Sequence, residues 1–155
     1  MTSDLHRRAF LATGATAVLL LAGCGEGEAP PTVLTVTVQG EAEMNPGSDG
    51  ADRPVTLSIL QLSGTSAFDA AEYSALQEPA AALGSELVKS EQIVLTPGAP
   101  QIRPITVQPG VTAIGVTAGF INPSGRTVRQ RVTVPPASTG MTITVGRSGL
   151  TVSMG

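Results

Sequence analysis

The chain carries one thiol and one imidazole, and both lie within its first 24 residues. Cys24 closes the tetrapeptide Leu21-Ala22-Gly23-Cys24: a large aliphatic residue, two small ones, then cysteine. That order is a lipobox, and its chemistry is S-alkylation. The thiol takes up a diacylglyceryl group, the peptide bond before it is cut, and the freed amine accepts a third acyl chain such as palmitate. The small side chains of Ala22 and Gly23 let the peptidase reach the backbone. Two or three acyl chains, at ~0.8 kcal/mol per buried methylene, make a lasting anchor. A lone cysteine forms no internal disulfide, and this one is placed for modification rather than for a core.

Other catalytic side chains are missing or dispersed. His6 lies in the leader, so the mature chain has no imidazole for acid–base work or metal binding. That excludes Ser-His-Asp and Cys-His hydrolases and ordinary zinc enzymes. Glu41 and Glu43 stand close together, with Asp49 and Asp52 behind them. A glycosidase needs two opposed carboxylates in a cleft with sugar-stacking aromatics. Only Phe68, Tyr73 and Phe120 follow the leader, and there is no Trp. The acids fit no EF-hand loop, so a solvated acidic loop is expected. Gly47, Ser48, Asp49 and Gly50 lack the Lys-Ser/Thr of a phosphate cradle. The expectation is therefore no catalytic residue, no metal and no cofactor beyond the covalent lipid on Cys24. Binding and structural roles remain.

The leader itself reads as an export signal over residues 1–23. Arg7 and Arg8 give it a basic start, and an apolar run follows over residues 9–22. The run is shorter than the ~20 residues a membrane-spanning helix needs and suits a signal-peptide core. Arg7-Arg8 before Ala9-Phe10-Leu11 resembles a twin-arginine signal. Paired arginines also open ordinary secretory signals, so the route stays open. Gly25 follows the cysteine; the inner-membrane retention residue there is Asp, so Gly25 points to the outer membrane. Residues 24–31 form the lipidated cysteine and a flexible tether of Gly, Glu, Ala and Pro.

About 130 residues remain after the leader, enough for one domain that buries a core without staples. Export removes Asp4, Arg7 and Arg8, leaving 7 basic and 11 acidic residues and a charge of −4. No basic patch appears, which argues against nucleic acid. Strand patterns dominate residues 32–155. Leu34, Val36 and Val38 alternate with Thr35 and Thr37 over 32–39. Residues 55–62 place Val55, Leu57 and Ile59 on one face, while Leu60 and Leu62 predict cover on the other. Further strands are expected over 86–95, 101–107, 111–121, 126–134, 141–145 and 150–154. Pro104 demotes the second of these to an edge. A helical insertion is expected at about 66–84. Ser66 with Asp69 has capping-box spacing, and Phe68, Ala71, Ala75 and Leu76 share a helical stripe. Pro79 opens a second short helix that Gly84 ends. About eight turn-separated strands imply a two-sheet β-sandwich.

The polar stretch over residues 40–53 is long for a connection between adjacent strands, and such loops are often functional. Met44 is its apolar member. It fits equally as an anchor tucked into the sandwich rim and as a contact for a partner.

The order of motifs resembles the TssJ family, outer-membrane lipoproteins of the type VI secretion system. Met44-Asn45-Pro46 with Gly50 is similar to the family's Leu-Asn-Pro…Gly loop. Pro54-Val55 through Ile59-Leu60-Gln61-Leu62 is similar to its Pro-Val…Ile-Tyr-Gln-Leu strand, with Leu60 for Tyr. Phe68, Ala71, Tyr73 and Leu76, then Leu83-Gly84 with Glu86-Leu87, then Glu91, Leu95, Pro97 and Gly98 follow in family order. Ile114-Gly115-Val116 with Phe120 resembles its Val-Gly-Val…Phe strand. Val128-Arg129 stands where the family has Trp-Arg.

The resemblance implies a mostly β, transthyretin-like sandwich with a small helical insertion, hung from the outer membrane and facing the periplasm. It implies an adaptor that binds the periplasmic C-terminal region of TssM, in a membrane complex with TssM and TssL. The family's partner loop maps to residues 41–52, which gives Glu41, Ala42, Glu43, Met44, Asn45, Pro46, Gly47, Ser48, Asp49 and Gly50 as expected contacts. Deleting residues 44–50 is expected to remove binding without unfolding the domain. The competing reading is a ligand-binding or enzyme-inhibiting lipoprotein on the same scaffold; a deep apolar cavity would favour it.

Overall fold

The structure, a computed structural model, describes residues 27–155. Arg7, Arg8, Leu21, Ala22, Gly23 and Cys24 lie outside the described residues. Eight strands form: β1 (Val33–Gly40), β2 (Val55–Leu62), β3 (Leu87–Leu95), β4 (Gln101–Thr106), β5 (Ala113–Gly119), β6 (Arg129–Thr133), β7 (Thr139–Gly146) and β8 (Gly149–Met154). They make two four-stranded sheets, ordered β4-β1-β7-β8 and β3-β2-β5-β6. Every pairing is antiparallel except β1 with β7. The sheets pack face to face as a sandwich.

Alternation decides which side chains face inward. Leu34, Val36 and Val38 of β1 meet Val55, Leu57 and Ile59 of β2 in one core, joined by Ile114 and Val116 of β5 and Ile143 and Val145 of β7. β4 is an edge strand, as Pro104 requires. β5 and β6 are shorter than their sequence patterns predict. Residues 111–112 and 126–128 fall outside the strands, although Thr112 N still donates to Leu62 O (2.8 Å) and Ala118 N to Val128 O (3.0 Å).

The outer face of β2 has its own cover. Leu60 and Leu62 form a second cluster with Phe68, Leu76, Leu83 and Ala113. The cover is the insertion between β2 and β3: α1 (Ser66–Ala70), a 3-10 turn (Ala75–Gln77), α2 (Pro79–Leu83) and a further 3-10 turn (Gly84–Glu86). Pro79 opens α2 and Gly84 closes it, as their positions predict. The capping box is corrected. Thr65 precedes α1 and no side chain of its own segment caps it. Instead the Glu86 carboxylate accepts the Ala67 amide at 2.9 Å. The single helical stripe is also broken. Ala71 is extended, with ψ of 141°, and Ala75 is exposed, while Phe68 and Leu76 are buried. Arg129 explains the break: its guanidinium donates hydrogen bonds to the carbonyls of Phe68 (3.0 Å), Asp69 (3.1 Å) and Ala71, ending the helix. Beside it Arg131 grips Asp69 through Nε (2.7 Å) and Nη2 (3.0 Å), and this bond holds the Asp69 carboxyl below the usual carboxylate range.

Strand pairing sorts the loops to two ends. Val33 pairs with Thr106, Leu62 with Leu87 and Ala113, and Ala113 with Thr133. This end receives the tether, so we call it the tether end. The other end carries residues 41–54, 96–100, 120–128 and 147–148, bound together by contacts such as Gly98 N to Gly40 O (3.1 Å) and Glu41 N to Val145 O (2.8 Å). An eight-residue strand at 3.3 Å per residue sets these ends about 25 Å apart.

Candidate functional site

The β1–β2 loop is a folded object rather than a slack connection. Gly47 N donates to Ala51 O (2.9 Å), Gly50 N to Gly47 O (3.0 Å) and Arg53 N to Asn45 O (2.9 Å). Pro46 and Asp52 form a bridge, so the loop folds back as a small ribbon. The Asp52 carboxylate accepts the amides of Glu43 (2.7 Å) and Asn45 (2.8 Å). Asp49 accepts Ala51 N (3.1 Å) and the Arg53 guanidinium (2.8 Å). Glu43 pairs with Arg147 of the β7–β8 turn. These acids are therefore used to set loop shape, and among the described residues no group of three potential metal ligands converges.

The structure divides the ten expected contact residues. Met44 is fully buried and belongs to the main core. Its sulfur fills the space above Gly40, where a Cβ would come within 2.5 Å of it. Asn45 is 3 % exposed. Its Oδ1 accepts the Ile121 amide (2.9 Å) and its Nδ2 donates to Pro54 O (3.0 Å), tying the loop to the β5–β6 connection. Pro46 and Gly47 are half-buried. Glu41, Ala42, Glu43, Ser48, Asp49 and Gly50 face solvent. Of the two possibilities for Met44, the structure shows the anchor. Deleting residues 44–50 would empty part of the core, so the clean-deletion expectation is corrected: a cavity and two orphaned polar groups would follow.

Asn45 carries a sharp expectation. Asn45→Ala leaves the Ile121 N–H and the Pro54 C=O without partners, at a cost of about 2 kcal/mol. Urea denaturation should show that loss, and hydrogen exchange at the Ile121 amide should speed up.

Three further residues shape this end and were not legible as site residues. Arg126 donates to Met44 O and Gly146 O (3.4 Å) while lying 5.1 Å over the Phe120 ring. The Tyr73 hydroxyl donates to Ala118 O (2.9 Å) and accepts from Phe120 N (3.1 Å). Ile121 stands 60 % exposed. Tyr73, Gln77, Phe120 and Ile121 line an open groove of about 580 Å3 beside the loop. The turn residues 122–125 announce a loop here, but nothing in a linear pattern places Ile121 next to Asn45. The space between the sheets, by contrast, is filled by side chains of near-zero exposure.

The model of the type VI secretion lipoprotein family, with the names VasD, EvfM and TssJ, matches residues 32–150. No curated protein sequence matches the chain. Among solved structures, the type VI secretion lipoprotein TssJ1 from Pseudomonas aeruginosa is 26 % identical with a TM-score of 0.76, over 81 % of this chain and 98 % of that one. Lip of Serratia marcescens, a membrane-bound component of the type VI secretion system, is 24 % identical with a TM-score of 0.73, over 79 % and 98 %. A chain in the structure of the TssM C-terminal domain from EAEC shares the fold at 22 % identity and a TM-score of 0.66, over 78 % and 97 %. Among the described residues no helix is long and apolar enough to cross a membrane. The family match begins one residue before β1 and ends inside β8, taking in both sheets and the loop between β1 and β2, and the chain accordingly belongs to the type VI secretion lipoprotein family.

Proposed function

We propose that this protein is an outer-membrane-anchored structural adaptor of the type VI secretion membrane complex, binding the periplasmic C-terminal region of TssM through the exposed part of its β1–β2 loop. In this reading residues 1–23 are removed, Cys24 carries the lipid, and the domain has no catalytic role. One observation carries the proposal: the tether enters at one end of the sandwich, and the rigid loop stands about 25 Å away at the other. An anchor and a partner surface at opposite ends are what a bridge between two membranes needs. Family membership supplies the system, and a likeness to a chain in the TssM C-terminal domain structure accords with that partner. The filled space between the sheets gives the ligand-binding alternative no support.

The loop surface offers the test. Ala42 and Ser48 are exposed and take no part in the loop's hydrogen bonding. The double variant Ala42→Arg and Ser48→Arg is expected to keep the wild-type melting temperature and to weaken binding of the TssM region at least about tenfold, or ~1.4 kcal/mol. Unchanged affinity in a folded double variant would show that the loop is not the contact.

A further inference from the structure

The two ends of the sandwich differ in charge as well as position. Loops at the far end carry Glu41, Glu43, Asp49, Asp52, Arg53, Arg126 and Arg147. At the tether end, the β4–β5 loop is Val107-Gln108-Pro109-Gly110-Val111-Thr112 and the β6–β7 loop is Val134-Pro135-Pro136-Ala137-Ser138. Neither holds a charged residue. Both present proline and valine instead, and the nearest charges at this end lie outside them, on Glu28 of the tether and on Glu86 where the insertion returns to β3.

These loops are also held still. The Gln61 side chain, 1 % exposed, donates to Thr106 O (3.1 Å) and accepts Gln108 N (2.8 Å). Val107 N donates to Thr32 O (2.9 Å), and Val33 N donates to Ser138 Oγ (2.8 Å). Glu28, Pro30 and Pro31 of the tether face Val107, Pro109, Val111 and Val134 across an open cleft of about 550 Å3. The chain length settles where this cleft lies relative to the anchor. Three peptide steps separate Cys24 from Gly27, a span of at most about 11 Å.

We propose that the tether end of the sandwich is a lipid-docking surface, seating the domain end-on against the membrane that holds its anchor. The proposal rests on the reading of Cys24 as the lipidated residue. The β4–β5 and β6–β7 loops, uncharged and rich in proline and valine, suit the boundary between headgroups and acyl chains, where an apolar face sinks about 5–10 Å, and Glu28 of the tether belongs at the headgroup level. The charged loops at the far end would suffer desolvation there and stay in water. The cleft is too open to hold an acyl chain better than the bilayer does, so the occupant is the lipid surface itself. Such seating would fix the direction in which the β1–β2 loop points, which a flexible tether alone does not do.

The absence of tryptophan makes the test clean, because an introduced indole is the only one in the chain. Pro109→Trp and Ala137→Trp report on the tether end, and Ser48→Trp on the far end; all three positions are exposed. The lipidated proteins are reconstituted into vesicles of phosphatidylethanolamine and phosphatidylcholine, with or without bromine on the acyl chains. Indole emission from the Pro109→Trp and Ala137→Trp variants is expected to fall by about half with bromine, as for an indole at the interfacial depth, and that of the Ser48→Trp variant to stay constant. Flotation with the vesicles but no quenching at either tether-end position would overturn the seating and leave the anchor standing. Equal quenching at all three positions would also overturn it, as would a bromine-independent blue shift at position 109, which marks cover by the tether or a second copy. Failure to float would overturn the anchor and the seating together.

Discussion

Phe68→Ala is expected to lower the stability of the domain by about 3–5 kcal/mol. A domain of this kind holds a total of roughly 5–15 kcal/mol, so the loss is a large fraction of it. Phe68 is 2 % exposed and is the largest side chain in the cluster between the insertion and the outer face of β2. Its ring lies on Gly115 of β5, where a Cβ would come 2.8 Å from Phe68 Cε2 and 3.1 Å from Leu62 Cδ1. Glycine is required there by close approach, not by backbone conformation. Arg129 adds to the cost, since it lies 5.9 Å from the ring centroid while bonding three carbonyls of the same segment. Truncation leaves a cavity and loosens the seat of that guanidinium. Urea denaturation measures the loss. Gly115→Ala should destabilise the wild type and cost much less in the Phe68→Ala background, because the added methyl occupies vacated space.

Cys24→Ser is expected to leave folding and TssM binding unchanged while abolishing type VI secretion. The hydroxyl of serine does not take a thioether-linked diacylglyceryl group, so, on the proposed reading of Cys24, the variant lacks the acyl chains of the anchor. Among the described residues, the sheets and both cores are built from Val33 onward. Secretion assays in a strain whose only copy is Cys24→Ser, with fractionation to follow the loss of the protein from the outer membrane, measure both effects. Normal secretion by that strain would contradict the anchoring role.

Period-two alternation made strands such as β1 and β7 legible because they bury one face, whereas β2 and β5 are covered on both. The same rule revealed the unusual stretch: Leu60 and Leu62 broke the alternation and so announced the cover that the insertion provides. What escaped was whatever depends on chain segments far apart. Glu86 caps α1 from 19 residues away, and Arg129 ends it from the other side of β5. A capping-box spacing at Ser66 had no means of competing with those partners. At the candidate site, the length and polarity of the loop were visible, and so was Met44 as the exception within it. Its destination was not, because a single apolar residue in a polar loop has no period. Burial of Met44 and Asn45 makes the loop a fixed surface, with Arg126 and Ile121 as neighbours that only the fold brings near.

The central claim is that the end of the sandwich farthest from the tether meets the periplasmic partner. Hydrogen exchange of the domain with and without the TssM periplasmic C-terminal region tests it most directly. Slowed exchange is predicted in residues 41–54 and 120–128, with no change in residues 107–112 and 134–138 at the tether end. Protection confined to the tether end, or no protection at saturating partner, would contradict the account.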